Sequence, residues 1–265
     1  MTIEFVDIVV DARRLTIEHE WLSPERRDQP LMVFLHEGLG SVSMWRDFPA
    51  KAVDALGWRG LVYSRPGYGR STPRPSDEAW GPDFMHRQAQ QVLPALLQAL
   101  GIDAHRDPPW LLGHSDGGSI ALLHAAAFPA QVAGVVAMAP HLFVEELSLA
   151  SIARAREAYL HGALRQGLAK HHADVNSAFW GWNNAWLSPA FRPWDISDEL
   201  GTIACPVLAI QGEDDEYGTL AQVRRIAARV KATTVLPLPE CGHSPHRDQP
   251  ERVISAVSSF VQPGR

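Results

Sequence analysis

The stretch WLLGHSDGGSIALLHAA, residues 110–126, places a serine between two glycines where one sequence pattern gives way to another. The apolar residues before Ser115 are typical of a buried strand, and GSIALLHAAA (118–127) is typical of a helix. The flanking glycines permit a tight, strained turn that lifts the serine hydroxyl clear of its own backbone. The stretch therefore predicts a strand, a sharp turn and a helix. Ser115 is a candidate nucleophile at the turn, and an unreactive glycine-rich turn is the alternative.

Other short apolar runs, bounded by glycine or proline, alternate with helical patterns along the chain. The strand-like runs lie at 3–10, 14–22, 31–36, 60–64, 110–114, 132–140, 205–212 and 233–240. The helical patterns include 85–100, 118–127 and 220–230. Strands that alternate with helices imply right-handed crossovers and a mostly parallel sheet. We therefore predict an α/β fold with a mostly parallel central sheet, helices on both faces, and an antiparallel pair of strands at the start.

One segment interrupts this alternation. Residues 141–200 contain no strand-like run and are typical of helices and loops, and they carry four of the nine tryptophans. The sequence thus predicts an α/β core from residues 1–140 and 201–265, with 141–200 inserted as a helical cap.

The composition excludes several classes of protein. A chain of 265 residues that is 46% hydrophobic and 20% charged suits a single globular α/β domain. The net charge of −6 argues against nucleic acid or an anionic membrane surface as a partner. Two cysteines, no signal-like start and no apolar run of about 20 residues favour a cytoplasmic protein without a membrane span.

A reactive serine needs a base, and the base needs an acid to orient it. GEDD (212–215) puts Asp214 and Asp215 directly after a strand-like run, and His243 follows the next run. Both positions lie at the carboxyl ends of strands, the edge where parallel sheets bind ligands. On this reasoning either aspartate can be the acid, and His246 is a second candidate base.

Gly-His-Ser occurs twice, which supplies an internal comparison. The second copy lacks the following glycine and continues with Pro245, which has no N–H to offer an oxyanion. Ser244 is therefore not expected to be the nucleophile.

Five segments in order resemble motifs of α/β-hydrolase-fold enzymes with a helical cap, and the resemblance runs nearly end to end. They are FLHEGLGSVSMW (34–45), YSRPGYGRS (63–71), GHSDGG (113–118), GEDD (212–215) and CGHSPHRDQPE (241–251). The first resembles the oxyanion loop, the third the nucleophile elbow, and the last two the acid turn and the histidine loop.

The resemblance implies a role for each matching residue. Ser115 would be the nucleophile, Asp215 the acid and His243 the base. The backbone N–H groups of Asp116 and Gly38 would hold the oxyanion, with Leu39 a less favoured donor. No cofactor and no metal are implied.

Two positions depart from the family pattern. Ser64 stands where aspartate is frequent, and Glu37 stands where glycine is usual. The Glu37 carboxylate would either select a cationic substrate or pair with a neighbour such as Arg65. Together with the cap residues Trp180, Trp182 and Trp186, Glu37 is a candidate for the substrate pocket. Those aromatic side chains favour a small molecule with an apolar acyl or aromatic part.

The resulting prediction is a serine hydrolase that cleaves a carboxylic ester, lactone or thioester through an acyl-enzyme. One alternative is a carbon–carbon bond hydrolase of ring-cleavage diketones. Such enzymes commonly carry Asn before the nucleophile and Trp after the histidine, where this chain has His114 and Ser244. A catalytically silent ligand-binding protein of the same fold is the alternative from a different class.

Overall fold

Eight strands form one sheet in the computed structural model, which describes residues 2–261. The strands are β1 Ile3–Val10, β2 Arg13–Leu22, β3 Leu31–Leu35, β4 Arg59–Tyr63, β5 Trp110–His114, β6 Gly134–Met138, β7 Val207–Gly212 and β8 Thr233–Leu238. Their order across the sheet is β1-β2-β4-β3-β5-β6-β7-β8. The pairs β1–β2 and β2–β4 are antiparallel, and every other neighbouring pair is parallel. The predicted α/β fold with a mostly parallel sheet is confirmed.

Helices pack on both faces of this sheet. The α-helices of the described residues are α1 Phe48–Leu56, α2 Phe84–Arg87, α3 Leu93–Ala99, α4 Asp116–Ala127, α5 Glu146–His161, α6 Leu164–Leu168, α7 Val175–Trp186, α8 Ala221–Arg229, α9 Pro245–Asp248 and α10 Pro250–Val261, of which α5, α6 and α7 belong to the segment between β6 and β7. The helix predicted at 85–100 contains a π-helical turn, Gln88–Val92, between α2 and α3. Pro94 lies at the start of α3 and has no N–H for the helical ladder, so the hydrogen-bond register changes there.

The central strands are buried on both faces, as their continuous apolar runs predict. In β3 every residue is buried. Leu31, Val33 and Leu35 pack in the core on one face, while Met32 and Phe34 pack in the core on the other. This two-sided burial follows from the alternation of side chains along a strand, and it holds the carboxyl ends of the parallel strands in one row.

The segment between β6 and β7 contains α5, α6 and α7 and no strand of the sheet. It is joined to two core loops through the buried ring of His172. The Nδ1 atom accepts a hydrogen bond from the Gly69 N–H at 2.9 Å, and Nε2 lies 2.9 Å from the Leu39 carbonyl oxygen. This contact ties the helical segment to the loop after β3. The domain boundaries at 140 and 201 stay a prediction.

Within residues 2–261, none of the helices combines the length and the apolar character needed to cross a bilayer.

Candidate active site

Ser115 lies at the tip of a strained turn between β5 and α4. Its φ is 54° and its ψ −121°, a conformation that residues other than glycine seldom adopt. The turn is packed tightly against the sheet: a Cβ at Gly117 would overlap the carbonyl group of Leu35, so this position requires glycine. The Ser115 N–H donates to the Met138 carbonyl at 2.9 Å and anchors the turn to β6. Because that geometry is fixed by packing, the hydroxyl is held at the carboxyl edge of the sheet.

His243 and Asp215 meet Ser115 at this edge, although they follow β8 and β7. The His243 Nε2 atom lies 2.9 Å from Ser115 Oγ, and Nδ1 lies 2.9 Å from each Asp215 carboxylate oxygen. A carboxylate only accepts, so Nδ1 carries the proton and Nε2 accepts from the serine hydroxyl. The three side chains form one continuous hydrogen-bond chain.

Only one of the two candidate aspartates enters this chain. The Asp215 side chain is buried and also accepts hydrogen bonds from the Tyr217 N–H at 2.7 Å and the Gln211 amide at 2.6 Å. Burial raises the pKa of the Asp215 carboxyl, but the hydrogen bond and charge of His243 outweigh it, and the net pKa is lowered. Asp214 is exposed. The structure therefore brings Asp215, and not Asp214, to the histidine.

The two residues expected to donate to an oxyanion both lie in the pocket of Ser115. Gly38, Leu39 and Asp116 line the same pocket as Ser115. Among residues 2–261, no hydrogen bond from the backbone N–H of Gly38 or Asp116 occupies these donors. Trp182 packs so closely on Gly38 that a Cβ there would overlap the indole ring. The glycine thus allows a cap tryptophan to pack directly on the loop.

Asp116 was selected from the sequence for its backbone N–H as an oxyanion donor, and its side chain was not selected. It is 1% exposed, and Oδ1 accepts from the Trp186 indole N–H at 3.2 Å. The Oδ2 atom has no hydrogen-bond partner among the described residues. Burial raises the pKa of Asp116 to about 6, since Arg65 and Trp186 compensate the lost hydration only in part.

This raised pKa predicts an effect of Asp116→Asn on stability. The unfolded carboxyl titrates near 3.8 and the folded one at about 6. Wild-type stability therefore falls as pH rises from about 4 to about 6, because the unfolded chain loses its proton first. Asparagine keeps the acceptor for Trp186 and has no charge to bury. In urea titrations at pH 8 we expect the variant to be more stable by about 1–3 kcal/mol, with a smaller gain at pH 5.

The matched control for this measurement is Asp214→Asn, an exposed aspartate two strands away. It should change stability by no more than about 0.5 kcal/mol at either pH. If Asp116→Asn instead destabilised the protein equally at both pH values, the folded state would stabilise the ionised carboxylate, and the prediction would be wrong.

Glu37 does not pair with Arg65 as suggested by the sequence. The Arg65 guanidinium donates to the backbone carbonyl of Glu37 at 2.8 Å, because it lies buried under the loop against the Tyr68 ring. The Glu37 carboxylate instead lies 3.7 Å from His114 Nδ1 and 3.8 Å from the Arg247 guanidinium. The two loops that carry the oxyanion donors and His243 thus meet at Glu37.

The three candidate tryptophans divide into two groups. Trp182 and Trp186 are four residues apart on α7, share one face of the helix and line the pocket with Glu37. Trp180 lies on another face, packed at 5.5 Å between ring centroids against Tyr159 and near Arg156. The structure therefore does not bring Trp180 into the pocket; a spacing of two residues turns it away from Trp182.

The histidines near the site have distinct environments. His246, the second candidate base, is buried against the rings of Trp45 and Phe48 and does not line the Ser115 pocket. The His114 Nε2 atom lies 2.6 Å from the His243 carbonyl oxygen, so it holds the loop that carries His243.

Besides Ile152 of α5, three residues that were not selected from the sequence line the pocket. They are His141, Glu216 and Tyr217. Tyr217 packs on His243 at 4.6 Å between ring centroids, and His141 lies between His243 and Trp186. Their positions in the sequence could have indicated this: His141 follows β6, and Glu216 and Tyr217 follow β7, so all three lie at the carboxyl edge of the sheet.

Comparison with known proteins agrees with this fold. The profile of the alpha/beta hydrolase family matches residues 32–256. The chain is 25% identical to the sn-1-specific diacylglycerol lipase ABHD11 of Mus musculus, over 95% of this chain and 87% of that protein. It is also 25% identical to the 2-hydroxy-6-oxo-6-phenylhexa-2,4-dienoate hydrolase of Burkholderia cepacia, over 80% of each.

A solved structure has the same fold at lower identity. The enol-lactonase from Burkholderia xenovorans LB400 superposes with a TM-score of 0.75 and 19% identity, covering 96% of this chain and 99% of that one. With the family profile spanning most of the chain and the sheet in the expected arrangement, the chain belongs to the alpha/beta hydrolase family and is a hydrolase.

Proposed function

We propose that this protein is a cofactor-independent serine hydrolase that cleaves a carboxylic ester, lactone or thioester through an acyl-enzyme on Ser115. The observation that carries the proposal is the hydrogen-bond chain from Asp215 through His243 to Ser115, with 2.9 Å at each step. A serine hydroxyl becomes nucleophilic when a positioned base removes its proton during attack.

In this mechanism Ser115 Oγ bonds to the substrate carbonyl carbon while its proton moves to His243 Nε2. Asp215 accepts from Nδ1–H, which keeps the reactive tautomer and stabilises the imidazolium that forms. His243 then protonates the leaving oxygen or sulfur, and the acyl group stays on Ser115. Water then attacks the acyl-enzyme by the same steps: His243 takes a proton from the water, and the resulting hydroxyl bonds to the acyl carbon. His243 returns the proton to Ser115 Oγ as the ester bond to Ser115 breaks and the carboxylic acid departs.

The developing oxyanion would be held by the N–H groups of Gly38 and Asp116. Their unoccupied N–H groups and their position beside Ser115 support this assignment. Asp116 also begins α4, so the positive end of the helix dipole points toward the developing charge.

The pocket above Ser115 suits a small substrate. Its volume is about 190 Å³, below the roughly 300–1,000 Å³ of pockets for drug-sized ligands. Ile152, Trp182 and Trp186 supply apolar surface from residues 141–200, which supports their proposed role as a cap. We propose a small acyl ester with an apolar or aromatic part.

Carbon–carbon bond hydrolysis is the second candidate, favoured by the similarity to the dienoate hydrolase of Burkholderia cepacia. A dienoate carries a carboxylate. Among the described residues that line this pocket, none is an arginine or lysine, while three are carboxylic acids. An anionic substrate would lack a charge partner there, so we favour ester-type substrates.

Labelling with a fluorophosphonate probe tests the proposal directly. We expect about one probe per chain, and peptide mapping should find the adduct on Ser115. Ser244 is a suitable internal control, because it lines the same pocket, and within residues 2–261 its hydroxyl makes no hydrogen bond to a base. A protein that only binds ligands would stay unlabelled, and an adduct on Ser244 would contradict the assignment. Wild-type turnover of a panel of esters, lactones, thioesters and a ring-cleavage diketone then identifies the bond cleaved.

A further inference from the structure

We infer that the substrate carries a protonated amine, which the carboxylates lining the pocket recognise beside the reacting carbonyl. The inference rests on the proposed function for the identity of the pocket, and it adds the charge and hydrogen-bonding character of the substrate.

The first observation is the charge of the lining. Glu37, Asp116 and Glu216 all line the pocket of Ser115, and none of its described lining residues is a lysine or arginine. The Arg247 guanidinium lies 3.8 Å from the Glu37 carboxylate but does not line the pocket, so the lining itself is acidic. Fixed charges of one sign in a cleft with low-dielectric walls concentrate ligands of the opposite sign and repel those of the same sign. An amine would therefore enter this pocket more readily than a carboxylate.

The second observation is the state of Glu37, which is 18% exposed. Burial opposes its charge, yet the neighbouring His114 side chain holds the pKa of the Glu37 carboxyl well below the usual range. The carboxylate is thus ionised, with its nearest ion-pair contacts at 3.7 and 3.8 Å.

The third observation is the buried Oδ2 atom of Asp116, a residue that lines the pocket: within residues 2–261 this atom has no hydrogen-bond partner. A buried acceptor without a donor is costly, and a substrate N–H would supply the missing hydrogen bond. This distinguishes a protonated amine from a quaternary ammonium, which has no N–H to donate.

A positive substrate charge also suits the chemistry. The tetrahedral intermediate is an anion, and ionised carboxylates close to it oppose its formation. A cation on the substrate offsets that repulsion in the transition state as well as in binding. Trp182 and Tyr217 line the same pocket, and aromatic rings near a ligand further favour a cation.

The test uses three benzyl esters of equal chain length that differ in one terminal group. They are the ester of β-alanine (ammonium), the ester of butanoic acid (methyl) and the monoester of succinic acid (carboxylate). We expect kcat/KM of the ammonium ester to exceed that of the carboxylate ester by roughly tenfold to hundredfold, the size expected for a poorly screened charge pair. Glu37→Gln and Glu216→Gln should each reduce this ratio severalfold, whereas the exposed, neighbouring Asp214→Asn should leave it unchanged.

A binding measurement separates this inference from the proposed function. Ser115→Ala protein should bind benzylammonium in calorimetric titration at least about tenfold more tightly than benzoate, the equivalent of about 1.4 kcal/mol. Failure of the wild type to hydrolyse any ester, lactone or thioester would refute the proposed function, and the comparison of benzylammonium with benzoate binding would still decide the inference. Hydrolysis of the methyl ester without any ammonium preference, or a preference that survives both glutamate variants, would overturn the inference.

Discussion

Replacing Ser115 with alanine should lower kcat by about a million-fold and leave the fold intact. Alanine keeps the Cβ, so the positive-φ turn and the close packing of the elbow are retained. What is lost is the one oxygen that lies 2.9 Å from His243 Nε2 and can bond to the substrate carbon. The measurement is steady-state hydrolysis of the best substrate of the wild type, alongside urea unfolding of both proteins.

Ser244→Ala is the matched control, since it removes a hydroxyl from the same pocket at the other Gly-His-Ser sequence. It should retain most of the activity. Residual activity above a few per cent in Ser115→Ala would mean that another group attacks the substrate.

Replacing Asp215 with asparagine should lower kcat by about ten thousand-fold. The asparagine amide turns a donor toward His243 Nδ1, where the aspartate offers only acceptors, so the ring is driven to the tautomer that cannot accept the serine proton. Gln211 and the Tyr217 N–H hold the carboxylate at fixed positions, and the replaced side chain has little freedom to escape this clash. Turnover with a saturating ester checks the loss.

Asp214→Asn is the control for this prediction, because it makes the same chemical change one residue away on an exposed side chain. It should keep activity within about twofold of wild type, because changes to exposed side chains that make no special contact usually have small effects. Equal losses in the two variants would indicate that the turn as a whole is needed, and the reverse order would move the acid to Asp214.

Much of the fold could be predicted because its signals are local. The strands β1 and β5 begin and end at the residues that the apolar runs indicate, and the helix after the elbow differs by two residues at its start. Pro94 is visible in the sequence and signals a disturbed helix, but the apolar periodicity of 85–100 continues across it, so the π-helical turn at Gln88–Val92 was not expected.

The sequence by itself determined the order of strands and helices along the chain and the strained turn at Ser115. It also indicated that Ser115, the GEDD turn and His243 each follow the end of a strand. Periodicity and glycine placement carry this information, since they act over a few residues. Only the tertiary structure decided which side chains meet there: Asp215 rather than Asp214, Trp182 and Trp186 rather than Trp180, and His114 and Arg247 rather than Arg65 as the neighbours of the Glu37 carboxylate. These contacts join residues that are up to about two hundred positions apart. They depend on the order of the strands across the sheet, on the rotation of helices and on the packing of loops, which no local pattern encodes.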